Sequence, residues 1–419
     1  MTPVATPSVH HRRSTCRGCG GRRLQRFLEL GPTPLANAFL ASPEEFAAEP
    51  AFPLDVYFCE TCALVQLLDV IDPEVLFRDY IYLTGTSRTI AAHNRSYART
   101  VVDLLGLQPG DLVVEAASND GSLLRCFQPY GVRTLGIEPA RNIAAMARDA
   151  GIETLDCFFG TATARAVRAS HGPARAVLGN NVLAHVDDTQ DFLRGAAELI
   201  GPDGLVITEV PYLRDFVDRL EYDTVYHEHL CYFSVSALMR LCEEVGLRIV
   251  RVDRLPIHGG SIRMYAGPVE RHGDHAREVL ALAVEEREAG LTTLPRYQRF
   301  ARDVAANRDR LRDLLAALVA EGKSVAGYGA PAKGNTLLNY CGIGPDLLPY
   351  TVDKSPLKVG RYTPGMHLPV LPVETILARQ PDYVLILAWN FAGEIMAQEA
   401  EYRARGGRFI IPIPEPTIV

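Results

Sequence analysis

The run Tyr222-Asp223-Thr224-Val225-Tyr226-His227-Glu228-His229-Leu230-Cys231-Tyr232-Phe233-Ser234 sets two histidines around a glutamate, with tyrosines on both sides. Imidazole changes charge near neutral pH, so it suits proton abstraction, and a carboxylate or phenol beside it can orient it or polarise a substrate. His227 and His229 are two apart, and an extended backbone would turn both to one face. One of them could act as general base, with Glu228 or Tyr226 in support. The same residues could instead ligate a metal or form a buried hydrogen-bonded cluster, although further metal ligands are not evident nearby. A second group, residues 80–87, is dense in hydroxyls and includes Tyr80 and Tyr82. It stands at the junction of two differently textured parts of the chain, a favoured place for a ligand cleft.

Four cysteines form two CxxC pairs, Cys16/Cys19 and Cys59/Cys62. Two such pairs complete a tetrahedral zinc shell with no position left for substrate, so this metal is expected to be structural. Residues 1–80 otherwise show little periodicity. Gly31, Pro32, Pro34, Pro50 and Pro53 read as loop punctuation, with zinc supplying what a small core cannot.

The 419 residues call for two or three domains, and 47% hydrophobic with 22% charged residues is a globular balance. A net charge of -7 opposes a nucleic-acid surface. The basic cluster His10, His11, Arg12, Arg13, Arg17, Arg22, Arg23 and Arg26 reads as a solvated tail. The remaining five of nine cysteines are scattered, as buried free thiols of a reducing compartment would be. With no apolar leader and no membrane-length run, the expectation is a cytoplasmic protein.

From residue 90 the texture changes. A helix over 90–106 is followed by short apolar runs at 112–117, 134–139, 152–157, 176–180 and 204–210, alternating with helical stretches. This predicts a doubly wound α/β domain with a parallel sheet. Runs 247–254 and 260–265 read as an edge hairpin. A helix-rich stretch, 272–320, leads to a second, smaller α/β unit with strands at 324–329, 348–353 and 383–388.

The first strand runs from Glu115 into Ala117-Ser118-Asn119-Asp120-Gly121, and Glu138 closes the next strand. Small turn residues let a nucleoside cofactor approach the backbone, and a strand-end acid accepts from ribose hydroxyls. One glycine falls short of GxGxxG, which counts against a dinucleotide. S-adenosylmethionine has no pyrophosphate to cradle, and Asn119 and Asp120 suit its amino-acid end. The bland alternative is an ordinary strand-to-helix turn. The later turn Gly327-Tyr328-Gly329-Ala330-Pro331-Ala332-Lys333 starts like a dinucleotide loop, with Asp353 as a candidate ribose acid. Lys333 either meets a diphosphate at a helix start or is a solvated lysine in a vestigial turn.

In these blocks the chain resembles the sugar C-methyltransferases of deoxysugar biosynthesis, typified by nucleotide-linked 4-keto-hexose 3-C-methyltransferases. The resemblance rests on the paired CxxC, residues 80–87, Glu115 to Gly121 and Glu221 to Ser234. Weaker support comes from His258-Gly259-Gly260-Ser261-Ile262-Arg263 and residues 327–335. It implies a zinc-binding domain at 1–80, an S-adenosylmethionine-dependent methyltransferase domain at 81–268 and a Rossmann-like domain at 269–419 that helps hold a nucleotide-sugar. It also implies a monomer acting on a sugar linked to thymidine diphosphate, with Tyr80, Tyr226, Glu228 and His229 around the sugar and His229 as base. Asn181 and His185 resemble residues near the substrate. Tyr82, Tyr222, His227 and Lys333 are expected on the substrate side, and Glu115, Ser118, Asn119, Asp120, Gly121, Glu138 and Asn180 around the cofactor. The expected reaction is removal of the C3 proton of a 4-keto sugar by His229, then methyl transfer to the enolate carbon. Rival readings are an O- or N-methyltransferase on a small acceptor, a zinc-ribbon nucleic-acid adaptor and a nicotinamide enzyme using the Gly327 turn.

Overall fold

The computed structural model describes residues 9–78, 88–257 and 259–419. Residues 24–67 hold more strand than their proline content suggests. Strands Leu24–Thr33, Phe52–Cys59 and Val65–Leu67 form an antiparallel sheet. The expected loop at Gly31-Pro32 is absorbed into the first of these. Two register shifts, at Arg26/Leu28 and Glu29/Pro32, take up the irregularity and leave Pro32 opposite Pro53. The basic cluster is not simply solvated either. Arg12 pairs with Asp69 at 2.8 Å, Arg26 with Asp55 at 3.1 Å, and Arg13 and Arg17 both reach Asp187 at 3.0 and 3.1 Å. Arg17 is buried, where an unpaired cation would be costly, and it also donates to Gln66 and to the Leu67 carbonyl.

The fourth strand of this sheet is Cys231–Tyr232, contributed by the end of the tyrosine-histidine run. Cys231 pairs with Gln66 and Tyr232 with Val65, and Leu67 N donates to Leu230 O at 2.9 Å. The cysteine-rich unit therefore holds one end of the segment that carries His229.

The central sheet has seven strands in the order Leu247–Leu255, Ser261–Pro268, Ile200–Pro211, Ala174–Asn180, Leu112–Ala116, Arg133–Ile137, Thr154–Leu155. The last five are parallel and the first two form the expected antiparallel edge hairpin. Alternate residues serve opposite faces. Val113, Leu178 and Ile207 pack with Tyr97, Ala98 and Val101 of helix Arg88–Leu105. Val114, Val177 and Val206 pack with Ala164, Val167, Phe192 and Leu193 on the other side. Helices on both faces explain why these strands read as unbroken apolar runs. The strand order reverses between Leu112–Ala116 and Ala174–Asn180, which opens a crevice at their carboxyl ends.

Helices Arg277–Glu288 and Leu294–Ala320 lead to a six-stranded sheet in which Val370–Pro372, Thr351–Asp353, Val325–Tyr328, Tyr383–Ile386 and Arg408–Ile411 are parallel and Thr417–Ile418 closes one edge antiparallel. One continuous core joins Phe58 of the first sheet, Phe216 and Tyr222 of the central unit, and Tyr297, Phe300, Leu311 and Leu337 beyond it. Glu286 adds a polar tie. Fully buried, it accepts from Val235 N at 2.6 Å, Ser236 N at 2.8 Å and Tyr212 Oη at 3.0 Å, so a carboxylate meets the free amides opening helix Val235–Glu243.

Asn307, also fully buried, accepts from Tyr222 Oη at 2.9 Å and donates to the carbonyls of Pro412 and Pro414 at 3.0 Å each. Asn307→Ala removes all three bonds and leaves Tyr222 Oη only the weak contact with Cys341 Sγ at 3.5 Å. We expect it to lower stability in urea denaturation by about 3 kcal/mol, taking roughly 1 kcal/mol per orphaned group. A loss under about 0.5 kcal/mol, the scale of an ordinary surface substitution, would contradict this.

Candidate active site

Residues 222–232 cross between the three units and are gripped by each. On the C-terminal side, Trp389 Nε1 donates to Asp223 Oδ2 at 2.6 Å and Thr336 Oγ1 donates to Val225 O at 3.0 Å. On the N-terminal side, Asn37 Nδ2 donates to Glu228 Oε1 at 2.7 Å and His227 Nε2 donates to Pro53 O at 3.2 Å. The central unit holds Leu230 N through Ala184 O at 2.7 Å.

Between these anchors the chain turns, and His229 folds back on its own loop. His229 Nδ1 lies 2.8 Å from Thr224 O. A carbonyl only accepts, so Nδ1 carries the hydrogen and Nε2 of the neutral ring is left as the lone-pair nitrogen. Tyr226 Oη is 2.7 Å from that Nε2 and donates to it. The Tyr226 ring lies 3.9 Å from the imidazole, and His185 stands 4.9 Å away on another side. Phe77 covers His185 at 5.7 Å. Burial pushes His185 down to about 4, so it is neutral at physiological pH.

The expectation that His227 and His229 share a face is overturned. The segment is a turn, not an extended strand. His227 is buried against Phe52 and the Pro53 carbonyl, and burial lowers its basicity further. Tyr222 is likewise fully enclosed, its hydroxyl on Asn307. Lys333 Nζ lies 4.7 Å from the Trp389 ring centre, where its charge offsets two buried carboxyls, Glu221 and Asp223. Tyr80 and Tyr82, with the rest of 80–87, lie outside the described residues, as does His258.

The crevice at the sheet's switch point collects the residues read as cofactor-binding. Ala117, Asn119 and Gly121 all have positive φ, of 53°, 50° and 71°, so the turn curls back over the strand ends. Two of these are not glycine, a strain that surrounding bonds must hold. Glu138 does so: its Oε2 accepts from Asn119 N and its Oε1 from Ala140 N, both at 2.8 Å. Gly136 leaves the room required, since a Cβ there would lie 2.5 Å from Ser118 Oγ. Three buried polar atoms, Glu115 Oε2, Ser118 Oγ and Asn180 Oδ1, have no hydrogen-bond partner among the described residues. Burial pushes the Glu115 carboxyl well above the usual range, and Asp120 and Glu138 add to the rise. Buried acceptors of this kind fit a cationic, hydroxyl-bearing ligand such as S-adenosylmethionine, whose amine and ribose supply donors.

Several neighbours escaped the sequence reading. Asp156 follows the last strand, and Arg78 reaches it at 3.3 Å and the Pro139 carbonyl at 3.1 Å. Glu209, in register with both Asn180 and Arg263, is buried beneath His93 at 3.1 Å and Arg263 at 2.8 Å. A strand-end position was the available signal for Asp156 and Glu209. His93, alone on a helix, offered none.

The four cysteine sulfurs lie within 4.8 Å of one another, with Cys16–Cys62 at 3.5 Å and Cys19–Cys59 at 3.7 Å. Sulfurs about 2.3 Å from a tetrahedral ion are separated by about 3.8 Å, so the set fits zinc. Gln66 Nε2 and Gly18 N donate to Cys16 Sγ at 3.0 and 3.3 Å, which suits a thiolate. Gln66 also stands opposite Cys231 in the sheet, so the metal shell and the His229 segment share a strand.

Fold and site together define an S-adenosylmethionine-dependent methyltransferase with a four-cysteine zinc-binding head. Family models agree along the chain: a zinc binding domain over residues 16–77, a methyltransferase domain over 90–252 and a C-methyltransferase C-terminal domain over 256–414. The C-methyltransferase NovU of Streptomyces niveus is 40% identical over 404 residues, covering 96% of each chain. The chain belongs to this C-methyltransferase family. Among solved structures, the magnesium protoporphyrin IX methyltransferase of Synechocystis PCC 6803 is 16% identical, with a TM-score of 0.32 over 42% of this chain and 80% of that one. The CcbJ methyltransferase of Streptomyces caelestis is 14% identical, with a TM-score of 0.33 over 42% and 89%. Both likenesses are too slight to bear on function. Among the described residues no helix is long and apolar enough to cross a membrane.

Titrating the thiols with a mercurial should release one zinc per chain, and chelation should lower the melting temperature; release far below one equivalent would contradict the four-cysteine assignment. A second expectation concerns Glu221. Burial pushes its carboxyl up to about 8, with Lys333 opposing. Between the usual carboxyl range and about pH 8, the folded chain keeps a proton there that the unfolded chain releases, so this group makes stability fall as pH rises. The slope is at most about 1.4 kcal/mol per unit. Glu221→Gln should flatten the decline between pH 5.5 and 8 in urea denaturation; an unchanged slope would contradict it.

Proposed function

We propose that this C-methyltransferase methylates C3 of a 4-keto-deoxyhexose linked to thymidine diphosphate, through an enolate, in deoxysugar biosynthesis. The observation that carries the reading is the placement of His229, with Nδ1 held on the Thr224 carbonyl and Nε2 turned to the Tyr226 hydroxyl. Oxygen and nitrogen acceptors already own a lone pair, whereas a carbon acceptor needs a base to make one. A sugar ketone beside the target carbon lets that base be as weak as an imidazole.

S-adenosylmethionine, held by the turn at 117–121, Glu138, Glu115 and Asn180, supplies an electrophilic methyl group. When the sugar binds, the Tyr226 hydroxyl turns from Nε2 to the oxygen of the C4 carbonyl, which frees the Nε2 lone pair. His229 Nε2 then takes the proton from C3, and the C–H electrons pass into the enolate whose oxygen already accepts from Tyr226. His185, neutral by burial, can donate to the sugar without competing for the proton. Glu228, half of whose carboxylate Asn37 holds, keeps the loop's polar face oriented. Tyr80 and Tyr82 fall to the sugar side by family resemblance. Lys333 stands in the first turn of helix Ala332–Cys341, where backbone amides suit a diphosphate, but it lies over the Trp389 ring and beside the buried carboxyls Glu221 and Asp223. The reading therefore gives Lys333 no necessary part.

The test is product analysis with dTDP-4-keto-6-deoxyglucose and methyl donor. Carbon–proton correlation NMR should show a new methyl on C3, next to the carbonyl carbon. A 4-ketone also acidifies C5, so a methyl there would keep the enolate chemistry and overturn the position. An O- or N-methyl product would overturn the reading. His229→Ala should lower kcat by about 10²–10⁴-fold, the usual contribution of a general base, with affinity for S-adenosylhomocysteine nearly unchanged. Turnover close to wild type in that variant would remove His229 from the role.

A further inference from the structure

We propose that Asn37 is a positioning residue for the reaction: it fixes the carboxylate of Glu228, and through it the polar face of the His229 loop. The inference rests on the reading above, in which that loop carries the base. Asn37 lies far from Glu228 in sequence, on the strap that leaves strand Leu24–Thr33 and crosses to the C-terminal unit.

The strap is anchored on both sides of Asn37. Immediately before it, Ala36 O accepts from Asn335 Nδ2 at 2.7 Å, and Asn335 is buried in helix Ala332–Cys341. Two residues after it, Phe39 is buried with Ala330 and Val370 against the Gly329 turn of the C-terminal sheet. This is the turn that starts like a dinucleotide loop, and Asp353, its candidate ribose acid, accepts from Ala330 N at 2.7 Å. Phe39 thus packs on the turn that a dinucleotide would have to approach, which counts against the nicotinamide reading and makes the turn a socket for the strap. Leu40 and Tyr362 exchange backbone bonds of 3.1 and 2.9 Å. Further on, Phe46 stacks on His367 at 3.9 Å and Glu49 accepts from His367 at 2.9 Å.

So held, Asn37 has little freedom, and its amide donates to Glu228 Oε1 at 2.7 Å. A neutral amide suits this task. It restrains a buried carboxylate without the full counter-charge that a lysine or arginine would bring. Helix Ala332–Cys341 sits on both ends of the arrangement, with Asn335 on the strap and Thr336 on Val225 of the loop. The C-terminal unit therefore reaches the site through Asn37.

The test uses the full chain with zinc bound, dTDP-4-keto-6-deoxyglucose as probe substrate, and Asn37→Ala and Asn37→Asp. Asn37→Ala should lower kcat by about ten- to a hundredfold, the scale of a small misplacement in a catalytic geometry. Zinc content and affinity for S-adenosylhomocysteine should stay at wild-type values. Asn37→Asp is isosteric but sets a second carboxyl against Glu228, so the pair should share a proton and the acid limb of the kcat profile should move up by about one pH unit. A strap with a purely structural role would not move that limb. Wild-type kcat and profile in both variants would overturn the proposal, as would a loss that only tracks a loss of folded, zinc-bound protein. A wild-type chain that leaves the probe unmethylated would bring down the functional reading and this inference with it; an active wild type with indifferent variants brings down the inference alone.

Discussion

The hydrogen bond from His229 Nδ1 to the Thr224 carbonyl is the constraint on which the rest depends. It selects one tautomer, and with it which nitrogen can take a proton. It also ties a side chain to a backbone atom five residues earlier, so the bond exists only while residues 224–229 keep one shape. Holding such a loop costs on the order of 1–2 kcal/mol of backbone entropy per residue, more than its own few bonds return. The surrounding units supply the difference. Trp389, Thr336 and Asn307 grip its first half, Asn37 and Pro53 its second, and strand Val65–Leu67 takes its exit. The units on either side of the central sheet thus both bond to this one loop.

The zinc shell belongs to the same logic. Its four sulfurs form a closed set, so the metal has no site for substrate. Its contribution is mechanical, through Gln66, which touches Cys16 with its side chain and pairs with Cys231 in the sheet. The acids of the cofactor crevice show how burial is used. Glu115 and Glu138 are both pushed up by burial, so each is costly to ionise without a cation nearby. A cationic cofactor reverses that cost, and its binding and the ionisation of the crevice support each other.

How much was legible follows from how local each signal is. The CxxC pairs, the strand ends of the parallel sheet and the acid closing the second strand each depend on a few adjacent residues and on regular alternation; the fold gathers the four sulfurs and bears out the parallel sheet. The N-terminal sheet was missed because proline and glycine suggested loops where register shifts kept a strand. His227 was read by the period of an extended strand, but residues 226–228 turn, and one residue of turn reverses a side chain. Tyr222 was read as substrate-side rather than structural, and Trp389 and Asn37 could not be read at all. Their partners lie 85, 166 and 191 residues away, and nothing in their own neighbourhoods marks those partners.

The central claim is that His229 draws a proton from carbon. It is tested most directly by incubating the chain in heavy water with dTDP-4-keto-6-deoxyglucose and S-adenosylhomocysteine, which fills the cofactor crevice but offers no methyl group, and following the hexose by NMR. The account predicts deuterium entering at C3 with the wild-type chain and none above background with His229→Ala. Equal exchange in the two proteins, or none in either, would contradict it.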